Sequence, residues 1–325
     1  MPNPVKEIAR DFYMIPIPLP FRLKHVNVYA ALQDGRITLF DTGPNLPGIL
    51  PVLEKSLHHL GRSIPDIENI LVTHFHADHC GLAGIIKERS GGAIHMSEIE
   101  FDTVRSYGRD DLHMDRIRTF YCQQGLDNKM IEVIVSYLRA LRSVTHPFQV
   151  DEFLREGEVL KIGQRTIRIL GTPGHTRGHI CFFLPDEQIL LAGDCILPRI
   201  TPNLSPDLLT PSFHPLQSFI DSLEKIEDLP VTAVYPSHGS LFRNLKARVK
   251  AIKKHHTQRK ELTCRALKKR PATTAEVSEE VFGGNLPDFD RVLALNEIYV
   301  HLIELEKESR IIRWKEGEKY FFRLI

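Results

Sequence analysis

Apolar residues along the chain recur in two rhythms, and the rhythm changes several times. Val26, Val28 and Ala30 alternate with other residues, Asp34-Gly35 supplies a hairpin turn, and Ile37 to Phe40 predicts a second strand running into Asp41-Thr42-Gly43-Pro44. Leu50, Leu53, Leu57 and Leu60 have helical spacing and stop at Gly61. Ile70-Leu71-Val72 predicts a short buried strand leading into His74, and Leu82 to Lys87 a helix entered through Gly81. From about 97 to 145 the spacing predicts a helical insert broken near Gly108 and Gly125, with Ile131, Ile134, Val135, Leu138 and Leu141 as its clearest stripe. Strands return at 159–160, 166–170, 180–184 and 189–191, a helix at 213–226, and a strand at 232–235 that enters Pro236-Ser237-His238-Gly239. Beyond about 255, helical stretches at 256–268, 274–281 and 289–308 precede two short apolar segments around the turn Glu316-Gly317-Glu318. Three helices and a hairpin predict a small winged-helix-like domain over 255–325, behind a larger domain over 1–254.

The chemistry concentrates in Thr73-His74-Phe75-His76-Ala77-Asp78-His79. Three histidines and a carboxylate so close together, just after an apolar strand, converge if the loop wraps around something all of them bind. Imidazole and carboxylate suit zinc, and two adjacent groups of them suit a pair of ions. A merely histidine-rich surface loop is the plainer explanation. Against it stand three more ligand-type residues in similar settings: His175 after Gly171-Thr172-Pro173-Gly174, Asp194 after Ala192-Gly193, and His238 after Pro236-Ser237. Each follows a β-like apolar run and is flanked by glycine or proline, so each belongs on a loop at a sheet edge.

These elements, from the Asp41-Thr42-Gly43 turn through the H-x-H-x-D-H cluster to His175, Asp194 and His238, resemble the metallo-β-lactamase superfamily over roughly residues 12 to 254. The resemblance implies an α+β fold, a four-layer αβ/βα sandwich with metals at one edge. It implies that His74, His76 and His175 bind one metal, that Asp78, His79 and His238 bind the other, and that Asp194 bridges them. The expected cofactors are two zinc ions, with iron or manganese fitting the same donors. Two such ions share a hydroxide and make it the nucleophile, so Asp78 and Asp194 are the carboxylates expected at the catalytic centre. Asp41 is expected to orient the metal loops rather than bind metal, and His179 to be structural. True β-lactamases generally lack an aspartate at the Asp194 position, which argues against antibiotic hydrolysis as the main role. Flavodiiron proteins carry a glutamate and an aspartate where Asp78 and His79 stand here, which favours hydrolysis over redox chemistry.

Composition adds little to this except in one place. The 325 residues are 42% hydrophobic and 26% charged, with a formal net charge of +1, so any attraction to nucleic acid or membrane is local. No apolar run is long enough for a membrane span, Met1 to Glu7 resembles no signal peptide, and the five cysteines form no C-x-x-C pair; a cytoplasmic address is expected. The exception is residues 243–270, where twelve lysines and arginines face the single acid Glu261. That stretch is a candidate contact for nucleic acid. Aromatic residues that would stack on bases are sparse there, and Leu245, Val249 and Ile252 suit the inner face of an amphipathic helix, so a solvated helix face is favoured.

The resemblance reaches both single-stranded-RNA endoribonucleases and glyoxalase II-like proteins. The insert suits a roof over a small-molecule pocket, with Tyr107, His113, Phe120 and Tyr121 as candidate lining, although packing is the plainer role for each. The leading expectation is therefore a zinc hydrolase of a small ester or thioester. RNA cleavage is the alternative, and a nucleic-acid-binding regulator with an idle metal domain is a third class. His214 is a candidate proton donor, though a helix-start position is favoured for it, and a homodimer is expected from family habit.

Overall fold

The computed structural model describes residues 5–20, 22–107 and 111–325. The turn expected at Gly108, the first four residues and the side chain of Tyr107 lie outside the described residues. Strands β1 (Lys6–Ala9), β2 (Phe12–Pro18), β3 (His25–Gln33) and β4 (Arg36–Phe40) form an antiparallel meander. Asp34 and Gly35 both take positive φ, 48° and 83°, which is what a two-residue hairpin demands of its central positions. Helix α1 (Ile49–His59) then crosses to β5 (Ile67–Leu71), and the sheet continues in parallel. The short α2 (Ala77–Cys80) and α3 (Ala83–Ser90) lead to β6 (Ala93–Met96). The insert forms α4 (Glu98–Tyr107), α5 (Asp111–Gln123) and α6 (Asn128–Ser143) before β7 (Glu152–Phe153) closes a seven-stranded sheet.

A second sheet is built from β8 (Val159–Ile162), β9 (Arg165–Gly171), β10 (Ile180–Leu184), β11 (Ile189–Gly193) and β12 (Ala233–Pro236), with α7 (Pro215–Glu227) crossing between the last two. The two sheets face each other across one apolar layer: Phe12, Tyr29, Phe40 and Leu71 from the first meet Ile167, Ile169, Phe182, Leu191 and Tyr235 from the second. On its other face the first sheet buries Val26, Val28, Leu39 and Ile70 against Leu53 and Leu57 of α1 and Ile86 of α3. The second buries Cys181, Phe183 and Leu190 under Phe219 and Leu223 of α7. Helix, sheet, sheet and helix make the four layers, as the α+β sandwich requires.

Helix α8 (Leu245–Leu267) runs unbroken through the division expected between 254 and 255. Leu245, Val249 and Ile252 belong to the outer layer of the second sheet, while Cys264 and Leu267 pack in a separate cluster with Val277, Ile298, Leu302, Leu305, Ile311 and Phe322. That cluster is made by α9 (Thr274–Phe282), α10 (Asp288–Lys307) and the hairpin β13 (Ile311–Glu316) and β14 (Lys319–Leu324). The insert has its own small core, Met114, Ile117, Phe120, Tyr121, Ile131, Ile134 and Val135, which is completed by Leu295 of α10. Phe120 and Tyr121 are thus spent on packing, and His113 is buried as well. Among the described residues no helix is long and apolar enough to cross a membrane.

Candidate metal centre

Four strands end at the same edge of the sandwich, and the residue types singled out in the sequence stand just past those ends. Asp41 follows β4, His74 to His79 follow β5, Asp194 follows β11 and His238 follows β12; the turn after β9 carries His175. All seven expected ligands come together. His74 Nε2 and His175 Nε2 each lie 3.0 Å from His76 Nδ1. His238 Nε2 lies 3.3 Å and His79 Nε2 3.7 Å from Asp78 Oδ2. Asp194 Oδ2 sits between the two groups, 3.6 Å from His175 Nε2, 3.5 Å from His238 Nε2 and 3.8 Å from His79 Nε2.

Neighbours behind the ligands decide which way each imidazole faces. Asp41 is buried at φ 58°, a left-handed conformation that aspartate tolerates better than most residues. Its carboxylate accepts from the Thr73 N–H at 2.8 Å and the Thr73 hydroxyl, and lies 2.8 Å from His79 Nδ1. His175 Nδ1 is 2.8 Å from the Asn203 carbonyl and His238 Nδ1 2.8 Å from the His25 carbonyl. A carbonyl or carboxylate can only accept, so in all three rings the proton sits on Nδ1 and the lone pair of Nε2 turns inward. The loop of His238 is in turn held by Asn27, whose amide donates to the Pro236 and Gly239 carbonyls, and by the Tyr29 hydroxyl.

His179 does not face the centre. Its Nε2 accepts the backbone N–H of Asp194 at 3.1 Å, and its Nδ1 lies 2.8 Å from the Thr172 hydroxyl. It thereby aims Asp194. Gly193 makes room for this contact: a Cβ there would meet His179 Nε2 at 2.6 Å, and its φ is 50°.

One residue at the site carries no signal that singles it out in the sequence. Glu100, in the first turn of α4, is buried and accepts from the Phe75 N–H at 2.8 Å and the Gly178 N–H at 2.6 Å. It ties the loop between His74 and His76 to the loop between His175 and His179. Burial pushes its pKa up to about 7, against the pull of those donors. Ser97-x-x-Glu100 matches the capping-box pattern, so the sequence assigns this carboxylate to its own helix end. The capping half is present, since Ser97 Oγ accepts from the Glu100 N–H, but the carboxylate points elsewhere. His214 stands at the N-cap position of α7 without a side-chain capping hydrogen bond, and Cys80 and Cys195 are fully buried.

The electrostatics divide the centre in two. Burial holds His74, His76 and His175 below the ordinary imidazole value, and neighbouring imidazoles add to the effect at His74 and His76, His76 falling to about 3. These three stay neutral at physiological pH. At His79 burial pulls the same way, but Asp78, Asp41 and Asp194 outweigh it and raise the ring to about 9; the Asp194 and Asp78 carboxylates carry His238 well above its ordinary value too. This half therefore calls for positive charge, which a proton or a metal cation supplies.

A metal pair fits these residues. Buried His79 Nε2, His238 Nε2 and Asp194 Oδ1 have no hydrogen-bond partner among the described residues, an arrangement that costs free energy unless something else binds there. Zinc bonds of about 2.0–2.1 Å at tetrahedral angles put neighbouring donors roughly 3.3–3.4 Å apart. The donor pairs measured above lie 3.0 to 3.8 Å apart, and all donors of each set lie within 4.8 Å of one another. Three sets of donors meet the spacing a cation needs: His74, His76 and His175; His74, His79 and Asp194; and Asp78, His79 and His238.

Comparison with known proteins agrees with the geometry. The family model described as the metallo-beta-lactamase superfamily matches residues 22–238. A solved metallo-beta-lactamase family protein from Thermus thermophilus superposes with a TM-score of 0.87 at 30% identity, covering 98% of this chain and all of that one. A probable metallo-hydrolase of Bacillus subtilis is 26% identical over 97% of this chain and 98% of its own length. An atrochrysone carboxyl ACP thioesterase of Passalora fulva is 25% identical over 86% of this chain and 69% of that protein. The match extends over well more than half the sequence and takes in the strand ends where the ligand-type residues gather, so this chain belongs to the metallo-beta-lactamase superfamily.

Proposed function

We propose that the protein is a dinuclear hydrolase that uses two metal ions, zinc by preference, on a small ester and above all a thioester. The observation that carries the reading is the position of Asp194 Oδ2, within 3.8 Å of inward-facing imidazole nitrogens from both ligand groups. One carboxylate facing two clusters suits a shared site better than two independent ones. When bound, the two cations would supply Lewis acidity, lowering the pKa of water from about 15.7 toward 7 and stabilising negative charge on the acyl oxygen.

The chain's own residues keep that centre open and aimed. His74, His76 and His175 would hold one position and Asp78, His79 and His238 the other. Asp41, the His25 carbonyl and the Asn203 carbonyl retain the outer protons, so the inward lone pairs stay available. A thioester asks least of such a site, because a thiolate of ordinary pKa, about 8.5, departs without a donated proton. The thioesterase among the relatives supports the same substrate class.

Two features favour a small substrate. Tyr137 of α6 is half-buried, and its phenol pKa is raised by burial and then by the charge of Asp78, so this part of the insert lies within electrostatic reach of one ligand. Its ring packs 4.7 Å from Phe289 of α10. In the basic stretch 243–270, by contrast, half of the twelve cations are engaged: Lys246, Lys253, Arg259, Lys260, Lys269 and Arg270 pair with Asp228, Glu224, Glu297, Glu308, Glu280 and Glu276. Cations already paired have less to offer a phosphate backbone, and the RNA alternative gains no support.

The test is a panel of acyl-CoA, acyl-glutathione, lactone and single-stranded RNA substrates on zinc-loaded protein. Thioester hydrolysis is expected, falling by more than about 100-fold in His76→Ala. Cleavage of RNA with the acyl substrates untouched would reverse the choice.

A further inference from the structure

The ligand imidazoles differ in where their outer hydrogen bonds lead. His79 leans on Asp41 and His238 on the His25 carbonyl, both in the first sheet's strands or their ends, and His74 Nδ1 lies 3.0 Å from the adjacent Thr73 hydroxyl. His175 leans instead on a loop carbonyl, Asn203 O, outside both sheets. That loop is held by the C-terminal helix and the insert. Asn203 Nδ2 donates to the Leu293 carbonyl of α10 at 3.1 Å. Asn203 Oδ1 accepts from the Ser205 hydroxyl at 2.9 Å, and Ser205 Oγ accepts from Asn296 Nδ2 at 3.2 Å. Asn296 Oδ1 accepts from the Tyr121 hydroxyl of α5 at 3.1 Å.

The donors and acceptors alternate without conflict. Tyr121, Asn296 and Ser205 each donate one proton along the chain toward Asn203, and Asn296 Oδ1, Ser205 Oγ and Asn203 Oδ1 each accept one. Tyr121 and Asn296 are buried, so water does not readily replace a lost link. Leu204, between the two loop residues, is buried in the outer core of the second sheet, which limits how the loop can move. The direction of the Asn203 carbonyl is therefore set from α10 and α5, and that carbonyl fixes the rotation of the His175 ring.

Resting on the reading of this centre as a metal site, we propose that Asn296, acting through Ser205 and Asn203, is a positioning residue for His175, so that the C-terminal helix and the insert tune one half of the metal centre. The partners behind metal-binding histidines typically change metal affinity by about 10–100-fold when removed.

The experiment titrates zinc and cobalt against a competing chelator in the full-length protein, with the cobalt absorption spectrum and the melting temperature of metal-free protein as further readouts. Wild type should bind two ions. Asn296→Ala should weaken one binding step by about tenfold or more, shift the cobalt spectrum of that step, and leave the other step within about twofold. Tyr121→Phe, which removes only the hydroxyl at the far end, should weaken the same step by a smaller factor, and Ser205→Ala carries the test if Asn296→Ala does not fold. Val292→Ala, which trims the same helix where it packs against the insert core but removes no hydrogen bond of the relay, should lower the melting temperature and leave both steps and the spectrum unchanged. Unchanged metal binding in Asn296→Ala and Ser205→Ala would overturn the relay while leaving the metal centre standing. Failure of wild type to bind metal would overturn the reading beneath it, and the relay with it.

Discussion

Asp41→Asn tests how the centre keeps its lone pairs turned inward. The substitution preserves size, and asparagine tolerates the left-handed backbone at φ 58°, so local strain is unchanged. What changes is one acceptor oxygen, now an NH₂. In wild type the carboxylate serves three donors: the Thr73 N–H, the Thr73 hydroxyl and His79 Nδ1–H. If the amide oxygen stays with Thr73, the NH₂ faces His79 Nδ1, and the ring avoids a donor–donor clash by moving its proton to Nε2. That is the atom 3.7–3.8 Å from Asp78 and Asp194, where the cation would bind. If the amide turns over, the Thr73 N–H is left buried and unpaired. Either way the loss is one charge-assisted hydrogen bond, about 1.5–3 kcal/mol. Since about 1.4 kcal/mol is a factor of ten, metal affinity should fall by about 10–100-fold. Chelator competition measures the affinity, and nitrogen NMR of the imidazoles in metal-free protein at a pH above about 9, where the His79 ring is neutral, reads its tautomer. A Kd within about threefold of wild type, with His79 still protonated at Nδ1, would refute the argument.

Two further outcomes follow from groups described or placed by the same structure. His256 of α8 and His301 of α10 are buried, with their rings stacked 5.2 Å apart, and burial depresses them to about 3 and about 4; His255, Arg259 and Glu297 are the charged or titratable groups facing them. Between pH 6.5 and about 4 the unfolded chain binds protons that these rings refuse, so stability is full above 6.5 and declines as pH falls, by about 2 kcal/mol per ring at pH 5. Imidazole resonances that titrate near pH 6.5 in the folded protein would contradict this. Gly193→Ala adds backbone strain and drives a Cβ into His179 Nε2, for a combined cost of about 2–5 kcal/mol in urea denaturation. Gly91→Ala, at similar φ with open space around its Cβ, should cost only the backbone part, and equal losses would sink the steric account.

The strands and the ligand-type residues of the sandwich were legible because their signals are local. An apolar run that gives way to Thr-His, Gly-His, Gly-Asp or Pro-Ser-His ends in ligand-type residues at a strand edge here, and Asp34-Gly35 announces its hairpin by the left-handed backbone it favours. Of the supports behind the ligands, Asp41 and His179 were expected through the family resemblance, and the others were not legible, because they depend on contacts between distant segments. Glu100 carried the pattern of a helix cap and left for another loop. Asn203 supports His175 through its backbone carbonyl, which every residue possesses and no side-chain pattern marks. Packing was the plainer role for Phe120 and Tyr121, and the insert takes both for a core of its own. The division between the larger domain and the C-terminal module was drawn from a change in the order of elements, three helices and a hairpin after a run of strands. Helix α8 carries an apolar stripe for each and does not break between them.

The ligand-type residues come from both sheets: His74, His76, Asp78 and His79 follow a strand of the first, and His175, Asp194 and His238 follow strands of the second. Ions held among them would therefore act as a clasp joining the two halves of the molecule, linked to folding as any native-state ligand is. At a free concentration a thousand times its Kd, one such ion adds about 4 kcal/mol to the stability of the closed form. A cell short of metal would then hold less of the protein itself, with unclasped chains lost to proteolysis, as well as less of its activity.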